Sequence, residues 1–368
     1  MDVYYILYSM LIPFWLLDFF YIPLKAKRIC MIILCLVYGL YGGCHSWVGS
    51  DWNQYYGVFK DSSWDNIFTY VRYGATKMEF GYMFLNILFK SIFKLYSIFM
   101  SIMTFCWLYA NGYIFLKYSK FPFIIFSIFF LIDCQFLIFR QSIALVFFVI
   151  SFKYIIEQNL KKFLICIALG ASIHNVVFAA LPLYWLSRVK INFITANVLY
   201  IVVFLFSALF AKMGISLGLM LGGSIADKIA IYSENQVIEE ERAFTTTIFN
   251  LIILNMTLIS MRSSTDISKK IFYGLSIWSF LMCNIVSMLF QDGFHELTRI
   301  SAGYRLGVCM CWSISLEYIY KKSKLAFSFF VLFLIYYLCN KFMGLPMFSD
   351  YAGHIYKNSK PFFNSILR

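Results

Sequence analysis

The chain has 368 residues, of which 61% are apolar and only 13% charged; no water-soluble fold could hide that much hydrocarbon behind its own surface. The formal charge of +13 does not mark a nucleic-acid binder, because the Lys and Arg residues are scattered between apolar stretches and form no basic stripe. Composition therefore excludes a soluble domain and points to an all-α, polytopic integral membrane protein.

In chain order, the first apolar stretch, 4–21, has no basic leading region and no small-residue cleavage pattern, so it is expected to be a retained helix. Stretches of roughly 20 apolar residues then recur to residue 342 with short polar breaks. The basic segments 25–28, 117–120, 153–162, 188–190, 262–270 and 321–324 belong in the cytoplasm by the positive-inside rule. The N-terminus, 47–79, the turn at 133–140, 212–242, 291–299 and the tail from 344 then fall on the far side.

Two segments must deviate from simple spans. Residues 79–94 are too few to cross and carry Lys90 and Lys94, which predicts an interfacial or re-entrant helix. Residues 163–186 have basic flanks on both sides and are interrupted by His174-Asn175. That predicts two short half-helices meeting there, with a single ordinary span as the alternative; irregular backbone at membrane depth survives only where protein or a wet cavity satisfies it. The expected architecture is about ten spans plus this broken pair and the interfacial helix. It forms a single transmembrane domain over 1–368, with extracytoplasmic loops near 47–80 and 212–243. Most of the ten cysteines sit inside apolar stretches, and Cys309 and Cys311 share a helix without a CxxC pair. Neither a disulfide framework nor a zinc site is expected.

Ionisable groups near hydrocarbon cost roughly 2.5 to 3.5 kcal/mol and usually face a cavity or a partner. Arg140 stands in Phe136-Leu137-Ile138-Phe139-Arg140-Gln141-Ser142-Ile143-Ala144 at the outer start of a helix. Its guanidinium is a rigid fork for phosphate oxygens, and an interfacial anchor paired with Asp133 is the plainer alternative. His174, in Ile173-His174-Asn175-Val176, is the histidine well inside an apolar stretch. It could take a hydroxyl proton near neutral pH, or it could be a structural histidine capping the hairpin.

Gly49-Ser50-Asp51-Trp52-Asn53-Gln54-Tyr55-Tyr56 joins a carboxylate, amides and aromatic faces, a mixture suited to sugar hydroxyls and pyranose rings; such aromatics are also ordinary at bilayer interfaces. Glu79 opens Glu79-Phe80-Gly81-Tyr82, where a first-turn carboxylate favouring the helix dipole is an equal reading. Arg299 and Arg305 flank the outer start of the helix at 300–320, as part of a diphosphate clamp or as headgroup contacts. No HxxxH or HxxE spacing offers a metal cage, and no metal or cofactor is expected.

The order Gly-Ser-Asp-x-x-x-Tyr-Tyr (Gly49 to Tyr56), Glu-x-Gly-Tyr (Glu79 to Tyr82), Arg-Gln-Ser-Ile-Ala (Arg140 to Ala144), Ile-His-Asn (Ile173 to Asn175) and Leu-Pro-Leu-Tyr (Leu181 to Tyr184) resembles the EpsG-type branch of the Wzy polysaccharide polymerases. Beyond Tyr184 the likeness rests on hydropathy and on Arg299 to Tyr304. The resemblance implies transfer of a growing undecaprenyl-diphosphate-linked glycan onto an incoming lipid-linked repeat unit, at the outer face of a bacterial inner membrane, without a metal or nucleotide sugar. Its partners would be undecaprenyl-diphosphate-linked oligosaccharides and the lipid bilayer, with a chain-length regulator left open and no nucleic acid.

Within that expectation His174 and Arg140 are catalytic, His174 as base for the acceptor hydroxyl. Arg140 with Arg299 or Arg305 binds the diphosphate, while Asp51, Glu79, Tyr55 and Gln141 bind the acceptor sugar, with Asp51 or Glu79 able to share the base role. The rivals are a flippase or transporter of lipid-linked oligosaccharide, which would normally show paired repeats, an O-antigen ligase, and an acyltransferase decorating surface sugars. The outward clustering of the unusual residues favours the polymerase.

Overall fold

The computed structural model describes residues 10–44, 52–68, 78–132, 139–221, 240–262, 267–290 and 295–343. Among them every regular element is helical. In chain order these are α1 (Ile12–Phe19), α2 (Leu24–Cys44), α3 (Trp52–Asp61), α4 (Phe80–Phe93), α5 (Tyr96–Tyr118), α6 (Pro122–Ile132), α7 (Phe139–Ile156) and α8 (Leu160–Ala171). A 3-10 helix (Asn175–Ala180) follows, then α9 (Leu181–Leu186), α10 (Phe193–Leu221), α11 (Glu240–Arg262), α12 (Ile267–Phe290), α13 (His295–Lys322) and α14 (Lys324–Met343). The chain divides into two compact units, one of Met1–Lys153, Lys161–Phe178 and Ser323–Arg368, the other of Tyr154–Leu160 and Ala179–Lys322.

In the first unit α5 is the centre, packed against α2, α4 and α6. Helix α2 approaches closely because Gly39, Gly42 and Gly43 face Ser101, Thr104 and Phe105 of α5, the small-residue seam that lets helices associate where lipid supplies no hydrophobic drive. Helix α1 docks on α6 through polar groups. Trp15 Nε1–H donates to Ser127 Oγ at 2.7 Å, and Asp18 Oδ2 accepts the N–H groups of Phe123 and Ile124 at 3.0 Å each. Those are first-turn donors with no partner inside α6, so a carboxylate from another helix does what a capping side chain would do.

Helix α4 covers the span expected to lie at the interface, and ends where Lys94 turns left-handed (φ 57°). Its unusual Lys90 has a local purpose: Nζ donates to the carbonyls of Lys60 (2.5 Å) and Ser62 (2.7 Å). It thereby closes the C-terminal end of α3, where a cation is favoured.

The expected interruption at His174 is present. Helix α8 stops at Ala171 and the chain resumes as the 3-10 helix at Asn175. The break is short, since Ile173 N–H and His174 N–H both donate to Gly170 O at 3.0 Å.

In the second unit α12 is the hub, with α9, α10, α11 and α13 packed around it. Its interior carries an amide seam. Asn197 and Asn255 exchange hydrogen bonds of 2.7 and 3.0 Å, and Asn250 donates to Asn284 Oδ1 at 2.7 Å. Outside, α10 exposes Ile194, Val198, Ile201, Leu205 and Leu209 among other residues. In the first unit the exposed face of α14 is likewise apolar, with Leu325, Phe329, Leu332 and Tyr336. Polar pairs inside and hydrocarbon outside invert the pattern of a water-soluble protein and suit a lipid solvent. By length and composition Tyr96–Tyr118 and Lys269–Leu289 can each cross a membrane. They are the two candidate spans among the described residues.

Candidate active site

Three sequence motifs meet in the first unit, and the contact that joins them starts at the N-terminus of α4. Glu79 occupies the N-cap position with extended backbone (φ −71°, ψ 147°), yet its side chain makes no capping hydrogen bond. The carboxylate reaches across to α7 instead, where Glu79 Oε2 accepts Arg140 Nη1–H at 2.9 Å. The pair is set back from the surface, its side chains 17% exposed for Arg140 and 21% for Glu79. Arg140 Nη1 also lies 3.0 Å from the sulfur of Met78. Arg140 Nε is buried and has no hydrogen-bond partner among the described residues. Glu79 thus makes an ion pair while standing at the N-terminal end of α4, where the helix dipole also favours a carboxylate. Asp133, the alternative partner for Arg140, lies outside the described residues.

Two residues on, Gly81 N–H donates to Ser172 O at 2.7 Å. A Cβ at position 81 would fall 2.8 Å from that same carbonyl oxygen, so glycine is what allows α4 to end against the turn leading to His174. Tyr82 is fully buried and packs edge-on against Tyr55 of α3, ring centroids 5.9 Å apart. Each letter of Glu-x-Gly-Tyr therefore has a contact: an arginine, a backbone turn and an aromatic ring. The other side of the turn is fixed by Gly170, whose missing Cβ would lie 3.1 Å from Ala144 O of α7, one helical turn along from Arg140.

His174 sits at the head of the 3-10 helix, half-buried. Its carbonyl accepts Val177 N–H (3.3 Å) and its ring Nδ1 accepts Val176 N–H (3.1 Å). The side chain acts as an N-cap, as the hairpin-capping alternative anticipates. Because Nδ1 accepts, the proton of the neutral ring resides on Nε2. The base expected at His174 therefore meets a tautomer already set by the turn.

The acceptor-sugar residues distribute differently from the sequence expectation. Asp51 lies outside the described residues. Tyr55 and Gln141 are buried, 6% and 1% exposed, and Tyr55 is spent on packing against Tyr82. The outward-facing ring of this cluster is Tyr56, stacked on Trp52 at 4.9 Å. It belongs to the same Tyr-Tyr pair, and the helical phase of α3 decides which ring is inside.

Arg299 and Arg305 belong to the second unit, near the start of α13, both half-buried. On a helix of 3.6 residues per turn they point about 120° apart, so they address different sides of α13. Between them Tyr304 is buried, and its hydroxyl donates to Ala179 O at 2.5 Å. In the same unit Tyr184, the tyrosine of Leu-Pro-Leu-Tyr, donates to Gln158 O at 2.9 Å. That bond holds the turn between α7 and α8 in which Gln158 adopts a positive φ of 56°.

An ion pair, a turn-capping imidazole and an outward aromatic stack are carried on helices whose exterior is apolar, the character of a membrane protein. The chain belongs to the EpsG family, whose model matches residues 27–352. The match runs through the segment beyond Tyr184 as well as the motifs before it. Members of this family are polysaccharide-polymerase-like, glycosyltransferase-like membrane proteins. Among curated proteins and among solved structures, none matches the chain.

Proposed function

We propose that this protein polymerises polysaccharide repeat units, transferring a growing undecaprenyl-diphosphate-linked glycan onto an incoming lipid-linked unit at the outer face of a bacterial inner membrane. The observation that carries the reading is Arg140. A buried donor without a partner costs free energy unless a ligand satisfies it, and Arg140 Nε is such a donor beside an Nη1 already oriented by Glu79. A guanidinium held this way is preorganised for a diphosphate oxygen.

As the sugar–phosphate bond breaks, negative charge grows on the diphosphate, and Arg140 stabilises it in a poorly screened site. Glu79 and His174 handle the proton of the attacking hydroxyl. Tyr56 offers a face to the acceptor ring, and Asp51 its carboxylate. In this reading the counter-charge for the departing diphosphate comes from Arg140, with no metal or cofactor invoked.

The test is direct. Purified full-length protein is incubated in EDTA with lipid-linked repeat units extracted from cells lacking it. Products of increasing length support the reading. Units that stay single, or that only change leaflet when the protein is placed in vesicles, exclude it and favour a flippase.

A further inference from the structure

The side chain of Glu79 has two seats within its reach and uses one. Glu79 is the N-cap residue of α4, with the extended backbone that position requires (φ −71°, ψ 147°), yet it makes no capping hydrogen bond. A cap there accepts the N–H of the residue two or three positions on. Gly81 N–H already goes to Ser172 O at 2.7 Å, which leaves the N–H of Tyr82. The seat in use is Arg140, whose Nη1–H reaches Glu79 Oε2 at 2.9 Å.

We infer that Glu79 is an internal counter-ion which the diphosphate displaces: its carboxylate holds the Arg140 guanidinium in the empty site and turns to the head of α4 when the ligand arrives. This rests on the polymerase reading, in which Arg140 receives the diphosphate, and deepens it by naming the residue that sets how tightly Arg140 does so.

Two anions on one guanidinium repel each other. A phosphate oxygen on any other N–H of Arg140 would stand within a few Å of Oε2, and the two side chains are only 17% and 21% exposed, so little water lies between to weaken the repulsion. The donor most in want of an acceptor, the buried Nε, belongs to that same guanidinium. Displacement relieves the conflict at small cost, because the head of α4 offers the carboxylate a backbone donor and the positive end of a helix dipole. The Gly81–Ser172 bond holds the first turn of α4 in place, so the exchange is a rotation of one side chain. After transfer the same carboxylate, returning to Arg140, favours departure of the lipid diphosphate.

Binding tests this without turnover, so any part of Glu79 in the proton step does not enter. Farnesyl diphosphate is titrated calorimetrically into purified full-length protein in detergent, with variants of matched melting temperature. Glu79→Gln keeps a carbonyl for Arg140 Nη1–H and loses the charge. Glu79→Asp keeps the charge, falls one methylene short of Arg140, and is a strong N-cap. Glu79→Gln is expected to bind about tenfold more tightly than wild type or better, and Glu79→Asp more tightly than wild type by a smaller factor. Arg140→Gln is expected to lose about tenfold or more in affinity.

Unchanged or weaker binding in Glu79→Gln would make Glu79 a fixed brace for Arg140 and overturn the assignment. Tighter binding in the Gln variant with weaker binding in the Asp variant would leave the carboxylate seated on Arg140, and overturns the displacement. Both results leave Arg140 as the diphosphate site. Wild-type affinity in Arg140→Gln, or no binding in wild type and in both Glu79 variants, removes that site and the assignment together.

Discussion

Replacing Arg140 by lysine keeps a positive charge at the head of α7 but removes the fork. Lysine could still pair with Glu79 Oε2, yet it has no second, rigidly placed N–H to stand where Nε does. Polymer formation by Arg140→Lys is therefore expected to fall by about two orders of magnitude, measured as the rate of ladder growth in membranes of equal protein content. Wild-type chain lengths in that variant would take Arg140 out of the clamp. The importance of Arg140 is legible in the sequence, because a guanidinium in an apolar run demands a partner. That partner is not legible: Glu79 is 61 positions away, and no periodicity links the two. The tautomer of His174 is set within two residues, by Val176 N–H, but depends on a 3-10 turn that an apolar run does not announce.

Helices α4 and α1 are each held by several named contacts, and one contact on each can be removed by itself. A methyl group at Gly81 would press on the carbonyl oxygen of Ser172, a backbone atom that cannot swing away. Gly81→Ala is expected to destabilise by about 1 to 3 kcal/mol and to lower activity by shifting Glu79 relative to the His174 turn. Gly57, in α3, has nothing within 4 Å of its would-be Cβ, so Gly57→Ala should instead stabilise by about 0.5 to 1 kcal/mol. Opposite shifts in detergent melting temperature check the pair, and a Gly81→Ala protein as stable as wild type would deny the contact.

Asp18→Ala leaves the Phe123 and Ile124 N–H groups without their acceptor. It is expected to cost about 0.5 to 2 kcal/mol, with activity per folded molecule unchanged. A melting temperature equal to wild type would show that water replaces the carboxylate.

At this scale the break after Ala171 is readable from His174-Asn175 interrupting hydrocarbon, and so is the short span of α4 from its two lysines. What Lys90 does is not readable. Capping α3 requires that the end of α3 lie beside α4, a tertiary fact that composition reports only as a misplaced charge.

For the whole molecule the sequence conveys solvent and family more fully than it conveys chemistry. Apolar runs and basic breaks announce a membrane protein before any contact is known, and the exposed hydrocarbon of α10 and α14 over interior amide pairs is the same fact seen in three dimensions. The family match over 27–352 extends the motif-level resemblance to nearly the whole chain. If such a chain lengthens a lipid-linked glycan, the size distribution of surface glycans in its own host reports it. The gene is deleted and restored as wild type or as Arg140→Lys at equal membrane abundance. Glycans capped at single repeat units are expected in the deletion strain, a full ladder with wild type, and little or none with the lysine variant. A ladder unchanged by deletion, or loss of even the single-unit product, would contradict the polymerase reading.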